Sequence, residues 1–178
     1  MRKLKLDELN RLSLKEFKTA DRIPVVVVLD NIRSALNVGS IFRTCDAFAV
    51  EKLYLCGITA RPPHKEINKT AIGATDSVDW EYAEDILALA RILKSSSYTL
   101  IGVEQTNESV MLQDYFPESK EERVALILGN EVQGLSTDLL PLLDRALEVP
   151  QYGTKHSINV AVCAGVVIWD ILKKYRLN

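Results

Sequence analysis

No segment of this chain approaches the ~18 consecutive apolar residues that a membrane-spanning helix needs. The longest apolar runs are "VVVVL" at 25–29 and "VAVCAGVVIW" at 160–169. The opening "MRKLKLDELN" lacks the apolar core of a secretory signal. Cysteine is sparse: Cys45, Cys56 and Cys163 are odd in number, sit among apolar neighbours and show no C-x-x-C spacing. A disulfide framework is therefore not expected, and reduced, buried thiols in a cytoplasmic protein are. Histidine is scarcer still, with His64 and His156 alone, so no metal site is expected. The eight glycines include no G-x-G-x-x-G behind a strand-like run, and the usual dinucleotide-binding fingerprint is missing. There is no internal repeat, low-complexity tract or linker. At 178 residues, 47% hydrophobic and 26% charged, the chain suits one well-packed domain and is too short for two comfortable ones.

Net positive charge is also lacking, the formal charge being −2, which at first sight argues against a nucleic-acid partner. The distribution changes that reading. Residues 1–70 hold 13 Lys+Arg against 8 Asp+Glu, whereas residues 71–178 hold 9 against 16. A chain polarised in this way can turn a basic face to phosphates while staying acidic overall, which permits RNA or DNA without proving either.

What is present is an alternation of strand-like and helix-like segments. "PVVVVLD", "KLYLCG", "YTLIGVE", "RVALILG" and "ALEVP" read as strands. Helical stretches lie at about 38–48, at "AEDILALARILKS" and from Ser157 to the end, with shorter helices started by Pro62 and Pro63 and around "STDLLPLLD". Nearly continuous Val/Ile/Leu strands separated by helices predict an α/β fold, a mostly parallel sheet with helices on both faces. "KLDELNRLSLKEF" places Leu6, Leu9, Leu12 and Phe17 at roughly helical spacing. Residues 1–23 therefore read as an amphipathic helical extension packed on a domain of residues 24–178.

Ligands of such sheets bind beyond the carboxyl ends of the strands. The first exit, "NIRSALNVGSIFRT", holds a glycine and two arginines. Asn37 is a favoured N-cap for the helix that follows. Arg43, on a helix whose other residues look largely buried, calls for a carboxylate or phosphate partner. A second exit, "GNEVQGLS", reads either as a turn with Ser136 capping the next helix or as a binding loop. In the third, "QYGTKHSINVAVCAGVV", Ser157 is a plausible N-cap. Asn159 one turn further is a weak helix former, hydrogen-bonded either by a neighbouring backbone or by something functional. His156 reads as a hydrogen bond at the helix start.

"NVGSIFRT", "LILGNEVQGLS" and "VPQYGTKHSINVAVCAG", in this order and at these separations, resemble motifs 1, 2 and 3 of the SpoU-type (TrmH-like) RNA 2′-O-ribose methyltransferases of the SPOUT class. The resemblance runs from about Val25 to Trp169. It implies a SPOUT fold with a C-terminal trefoil knot, a rare exception to the rule against knotted chains. It implies S-adenosylmethionine held by Val103, Glu104, Gly129, Asn130, Gly134, Val149 and Ile158. Glycines there let backbone groups approach the ligand, and Val149 and Ile158 provide apolar walls.

The same resemblance aligns Arg43 with the catalytic arginine and Asn37 with the motif 1 asparagine. Glu131, Ser157 and Asn159 would join Asn37 in orienting Arg43, the ribose and the cofactor. Arginine is almost always protonated, so Arg43 is read as binding the RNA phosphate and the attacking oxygen, with the proton acceptor left open between Arg43 and that phosphate. The partner implied is a transfer or ribosomal RNA, contacted by Arg33, Arg43, Arg61, Lys65 and Lys69. No membrane and no metal is involved.

"NIRSAL" departs from the Asp-Pro pair of many relatives, and Arg33 is either a phosphate contact or a solvated loop charge. Only about 24 residues precede the first strand, so target choice is expected to rest on basic loops such as "RPPHKEINK" and on a dimer. The helix "SINVAVCAGVVIWDILKKY" is apolar nearly all round, and one face would stay bare in a single domain. A homodimer through this helix follows, as the resemblance also implies. Two other readings compete. One is a catalytically inactive RNA-binding protein of the same fold. The other is a flavodoxin-like nucleotide module, which leaves motifs 2 and 3 unexplained.

Overall fold

The structure is a computed structural model and describes residues 1–177. Its first segment differs from the continuous helix expected. A 3-10 turn at Leu6–Leu9 ends on Asn10 in the left-handed region (φ 48). A separate helix α1 (Leu14–Thr19) then starts under a capping box, in which Ser13 accepts from the Glu16 amide and Glu16 returns to Ser13. The break leaves Leu9, Leu12 and Leu14 exposed. Phe17 is half-buried, its ring centre 4.7 Å from the Arg22 guanidinium carbon. The side chain of Leu6 lies outside what the structure describes.

The rest alternates: β1 (Ile23–Asp30), α2 (Ala35–Ala47), β2 (Val50–Cys56), α3 (Lys65–Ala71), α4 (Ala74–Ser77), β3 (Trp80–Ala83), α5 (Ile86–Ser95), β4 (Tyr98–Val103), β5 (Val110–Met111), β6 (Arg123–Leu128), β7 (Arg145–Glu148) and α6 (Val160–Arg176). One sheet runs in the order β3-β2-β1-β6-β4-β7-β5 with every pair parallel. The period-two geometry of a strand explains why β1 is an unbroken valine run. Val25, Val27 and Leu29 pack with α2 and α6 on one face, and Val26 and Val28 pack with α5 on the other. Fully burying each such side chain contributes ~1.5–3 kcal/mol before entropy is counted.

Three boundaries differ from expectation for local reasons. His64, not a proline, caps α3, its Nδ1 accepting from the Glu66 amide at 3.2 Å. "STDLLPLLD" makes a turn and a short 3-10 segment, Leu140–Leu142. The last helix begins at Val160 rather than Ser157. Among the described residues no helix is long and apolar enough to cross a membrane.

The glycine of the first exit serves packing. A Cβ on Gly39 would overlap Thr70 Oγ1 and the Ile67 carbonyl, so its absence lets α3 lie against α2. Thr70 Oγ1 fastens the contact by donating to the Leu36 carbonyl at 2.9 Å. Because all strands are parallel, the exits of β1, β2, β4, β6 and β7 share one rim.

Candidate active site

The rim is interlocked from below. Asp30, the last residue of β1, is 2% exposed. It accepts from Asn31 Nδ2 at 2.8 Å and from the Ser136 amide. Burial raises its pKa, and these two donors oppose the rise. Asn31 sits in the left-handed region (φ 55). Its Oδ1 accepts from the Ile58 amide at 3.1 Å, and its carbonyl accepts from Asn130 Nδ2 at 2.7 Å. Buried Thr59 takes the Ile32 amide at 2.9 Å and donates to the Leu29 carbonyl at 3.1 Å. The exits of β1, β2 and β6 thus hold one another. Ser136 does not cap a helix: its amide is turned to Asp30 and its carbonyl only closes a turn with Leu139 at 3.0 Å.

Glu131 connects the second exit to the first. Its Oε2 accepts from the Arg33 amide at 2.8 Å, and its Oε1 accepts from the Ser34 amide and from Asn37 Nδ2, both at 3.1 Å. A carboxylate at the positive end of α2 is favourable. Partial burial pushes the Glu131 pKa up, but the amides of Arg33, Glu131 itself and Ser34, together with Asn37, outweigh it and hold it below the ordinary range. Asn37 is not the cap of α2. Ser34 is, its hydroxyl accepting from the Asn37 amide at 3.3 Å, which places Asn37 in the first turn with its side chain free for other partners.

The cap of α6 is Asn159, not Ser157. Its Oδ1 accepts from Ala161 N at 2.9 Å and Val162 N at 3.3 Å, while its Nδ2 donates to Asn37 Oδ1 at 3.2 Å. The asparagine satisfies local backbone, as one of its two readings had it, and also reaches across to the first exit. The result is a relay, Glu131 to Asn37 to Asn159, that joins all three motif segments. His156 makes no helix-start bond with its ring. Its carbonyl accepts from Gln105 Nε2 at 3.4 Å.

Above this relay a cleft of about 760 Å³ opens between the exits of β4, β6 and β7. Val103, Glu104, Gly129, Asn130, Gly134, Val149 and Ile158 all line it, as do Glu131, Ser157 and Asn159. One of its two glycines is required by backbone packing and the other by a left-handed backbone conformation. A Cβ on Gly129 would overlap the Gly134 backbone, and one on Gly134 (φ 69) would overlap the Glu104 carboxylate. Glu104 holds two loops, accepting from Gln105 N at 2.9 Å and Leu135 N at 3.0 Å. Cys163 also lines the cleft, its thiol pushed up to about 11 by burial and by Glu104.

Two groups of expected residues stand apart from the cleft. Asn37 lies behind it and acts on it through Glu131 and Asn159. Arg43 is exposed, has no hydrogen-bond or ion-pair partner among the described residues, and lines a separate depression of about 470 Å³ with Lys69, Phe48 and Thr70. Arg33, Arg61, Lys65 and Lys69 are all exposed. Asp30, Asn31 and Thr59 were missed by sequence reasoning. Asp30 read as the end of a strand and Asn31 as the first residue of its exit loop, and the only signal was a polar pair closing a valine run. Among the described residues no group of three or more His, Cys, Asp or Glu is placed to hold a metal ion.

The model of the SpoU rRNA Methylase family matches residues 24–169. The chain belongs to that family. A mouse tRNA (guanosine(18)-2′-O)-methyltransferase, TARBP1, is 30% identical over 157 residues, 86% of this chain and 10% of the relative. The tRNA (guanosine(18)-2′-O)-methyltransferase of Aquifex aeolicus is 28% identical over 161 residues, 88% of this chain and 72% of the relative. The chain thus spans from a tenth to under three quarters of the length of these relatives. The crystal structure of an AdoMet-bound rRNA methyltransferase from Sinorhizobium meliloti superposes with a TM-score of 0.79 at 22% identity, over 91% of this chain and 61% of that one. The parallel sheet with helices on both faces is therefore the fold of the SpoU family.

Proposed function

We propose that the protein transfers a methyl group from S-adenosylmethionine to a ribose 2′-hydroxyl of a structured transfer or ribosomal RNA. The observation that carries this is the relay Glu131–Asn37–Asn159, whose two ends line a cleft that also includes every residue assigned to the cofactor. The donor set suits the group. A cleft of about 760 Å³ is within the range of small-molecule sites. Val103, Val149 and Ile158 offer apolar walls for a purine, and the Gly129–Gly134 loop offers backbone carbonyls, its amides at 130 and 132–134 being bonded within the loop. When bound there, the sulfonium supplies an electrophilic methyl carbon. The chain's residues then position the attacking ribose. Glu131 locks the first turn of α2, Asn37 passes that constraint to Asn159, and Asn159 holds the start of α6 beside the cleft. Arg43, nearly two turns beyond Asn37, supplies the cation for the RNA phosphate and for the attacking oxygen, which gains charge as its proton passes to that phosphate.

Since Arg43 lies outside the cleft of its own chain, the proposal includes a homodimer in which α2 and α6 of two copies meet. It also includes the trefoil knot implied by the family, residues 1–23 as an extension to a methyltransferase domain of 24–178, and a cytoplasmic setting. The knot is supported by how the last two exits fold onto the β4 exit, Glu104 taking the Leu135 amide and Gln105 reaching the His156 carbonyl. The competing reading, an inactive RNA-binding protein of this fold, leaves the relay without purpose.

The test joins calorimetry with S-adenosylhomocysteine to transfer of labelled methyl groups onto bulk RNA from cells lacking the protein, with 2′-O-methyl positions mapped by mass spectrometry. We expect Arg43→Ala to lose at least ~100-fold in transfer while its S-adenosylhomocysteine affinity stays within about twofold of the original. Near-normal turnover in that variant would remove Arg43 from the mechanism. A wild-type protein that binds the product cofactor but methylates no ribose would establish the inactive reading.

A further inference from the structure

Arg61 has no hydrogen-bond or ion-pair partner among the described residues, yet it is not loose. Its guanidinium carbon lies 4.2 Å from the centre of the Tyr82 ring. The ring is held in turn, Tyr82 Oη donating to the Gly57 carbonyl at 3.1 Å and its backbone pairing with Leu55 in the sheet. Glu81, the neighbouring acid on β3, is engaged by Lys52 at 2.7 Å. The guanidinium is thus left exposed over an aromatic ring. Three residues earlier in the same loop Ile58 is 69% exposed, although its amide is fastened to Asn31 Oδ1.

We propose that Arg61 on Tyr82, flanked by Ile58, is a stacking platform for one unpaired nucleobase of the RNA, adjacent to the nucleotide being methylated. This rests on the reading of the protein as an RNA methyltransferase and adds the class of substrate, a loop or other single-stranded segment. A guanidinium pre-set on a ring presents one free π-like face at little entropic cost, and bases stack on such planes. An arginine serving a phosphate alone would have no use for the ring beneath it. Position agrees. The Ile58 amide is held by Asn31, whose carbonyl holds Asn130 in the cleft wall, so platform and cleft share one rigid rim. In the sheet order the platform stands over β2 and β3 and the cleft begins at β6. With strands ~4.8 Å apart the separation is roughly 10–15 Å. One or two nucleotides cover that distance along a strand, and a base has to leave its duplex stack to lie on the guanidinium.

Four variants decide the matter: Arg61→Lys, which keeps charge and loses the plane; Arg61→Ala; Tyr82→Phe, which keeps the ring; and Tyr82→Leu, which does not. KM for bulk RNA, kcat and the salt dependence of KM are measured, with S-adenosylhomocysteine affinity as a check on folding. We expect Tyr82→Phe, which keeps the ring but loses its bond to the Gly57 carbonyl, to raise KM clearly less than Tyr82→Leu does. Arg61→Lys and Tyr82→Leu should raise KM about tenfold, with kcat and cofactor affinity nearly unchanged and the salt slope of Arg61→Lys preserved. If Arg61→Lys behaves as the original while Arg61→Ala weakens binding with a shallower salt slope, Arg61 is a phosphate contact and the platform is refuted. Unchanged KM in all four refutes it too. Should Tyr82→Leu lose cofactor affinity, Arg61→Lys alone decides. If the wild-type protein methylates no RNA, the methyltransferase reading fails separately. The same variants are then compared for binding to single-stranded and fully paired RNA of equal length. The platform requires a roughly tenfold preference for the single strand that Arg61→Lys abolishes.

Discussion

Glu131 shows how much one side chain can carry here. It satisfies two orphan amides at the start of α2 and fixes Asn37, so its removal loosens two of the three motif segments at once. Glu131→Gln is expected to destabilise the protein by about 1–2 kcal/mol and to depress methyl transfer more than it depresses folding. The pH dependence has a definite sign. Its pKa is lowered in the folded state, so the carboxylate's contribution is fully present above the unfolded pKa of ~4.3 and disappears as pH falls through the lower folded value. Urea unfolding of both proteins at several pH values checks this. The stability gap should be widest near neutrality and close below about pH 4, and a gap that persists in acid would mean that hydrogen-bond geometry, not ionisation, is what matters.

Between elements, the packing of α2 on α3 depends on Gly39, because its missing Cβ is what lets the Ile67 carbonyl and Thr70 hydroxyl approach. Gly39→Ala forces the two helices apart and is expected to cost about 1–3 kcal/mol, read as a lowered Tm. The change also shifts Arg43 relative to Lys69, which line one depression. Transfer should therefore fall below what the loss of folded protein explains. A variant as stable as the original would show that the helices have room to part.

For the molecule as a whole, one surface stands out. Val162, Val166 and Trp169 are 57%, 41% and 47% exposed along one stripe of α6. Leu36, 39% exposed, and Arg43 lie on the outer stripe of α2, which packs beside α6. Trp169 touches Phe48 with ring centres 5.6 Å apart, so its contact partner within the chain sits at the edge of this patch. An exposed apolar stripe of this kind supports the proposed subunit contact, and a two-fold axis is the simplest way to close it. Sedimentation of Trp169→Glu should show a folded monomer with intact secondary structure and little transfer activity. A wild-type protein that stays monomeric and active at micromolar concentration would overturn the dimer.

Local chemistry was enough to read five of the seven strands and the parallel sheet, because apolar runs are properties of adjacent residues, whereas the short β3 and β5 carry no such run and the cleft residues were implied only by the resemblance of the three motifs. Caps and partners were not legible in the same way. Whether Asn37 or Ser34 begins α2 depends on which amides Glu131 takes, and Glu131 is 94 residues away from Asn37. Asn159 displaces Ser157 as the cap of α6 because its other end is held by Asn37, 122 positions earlier. The extension failed as a continuous helix because Asn10 and the Ser13 capping box stop it locally, a stronger effect than the weak leucine periodicity. The position of Arg43 outside its own cleft is set by the rotation of α2 against α3 and α6, an outcome of packing that no stretch of the chain encodes alone.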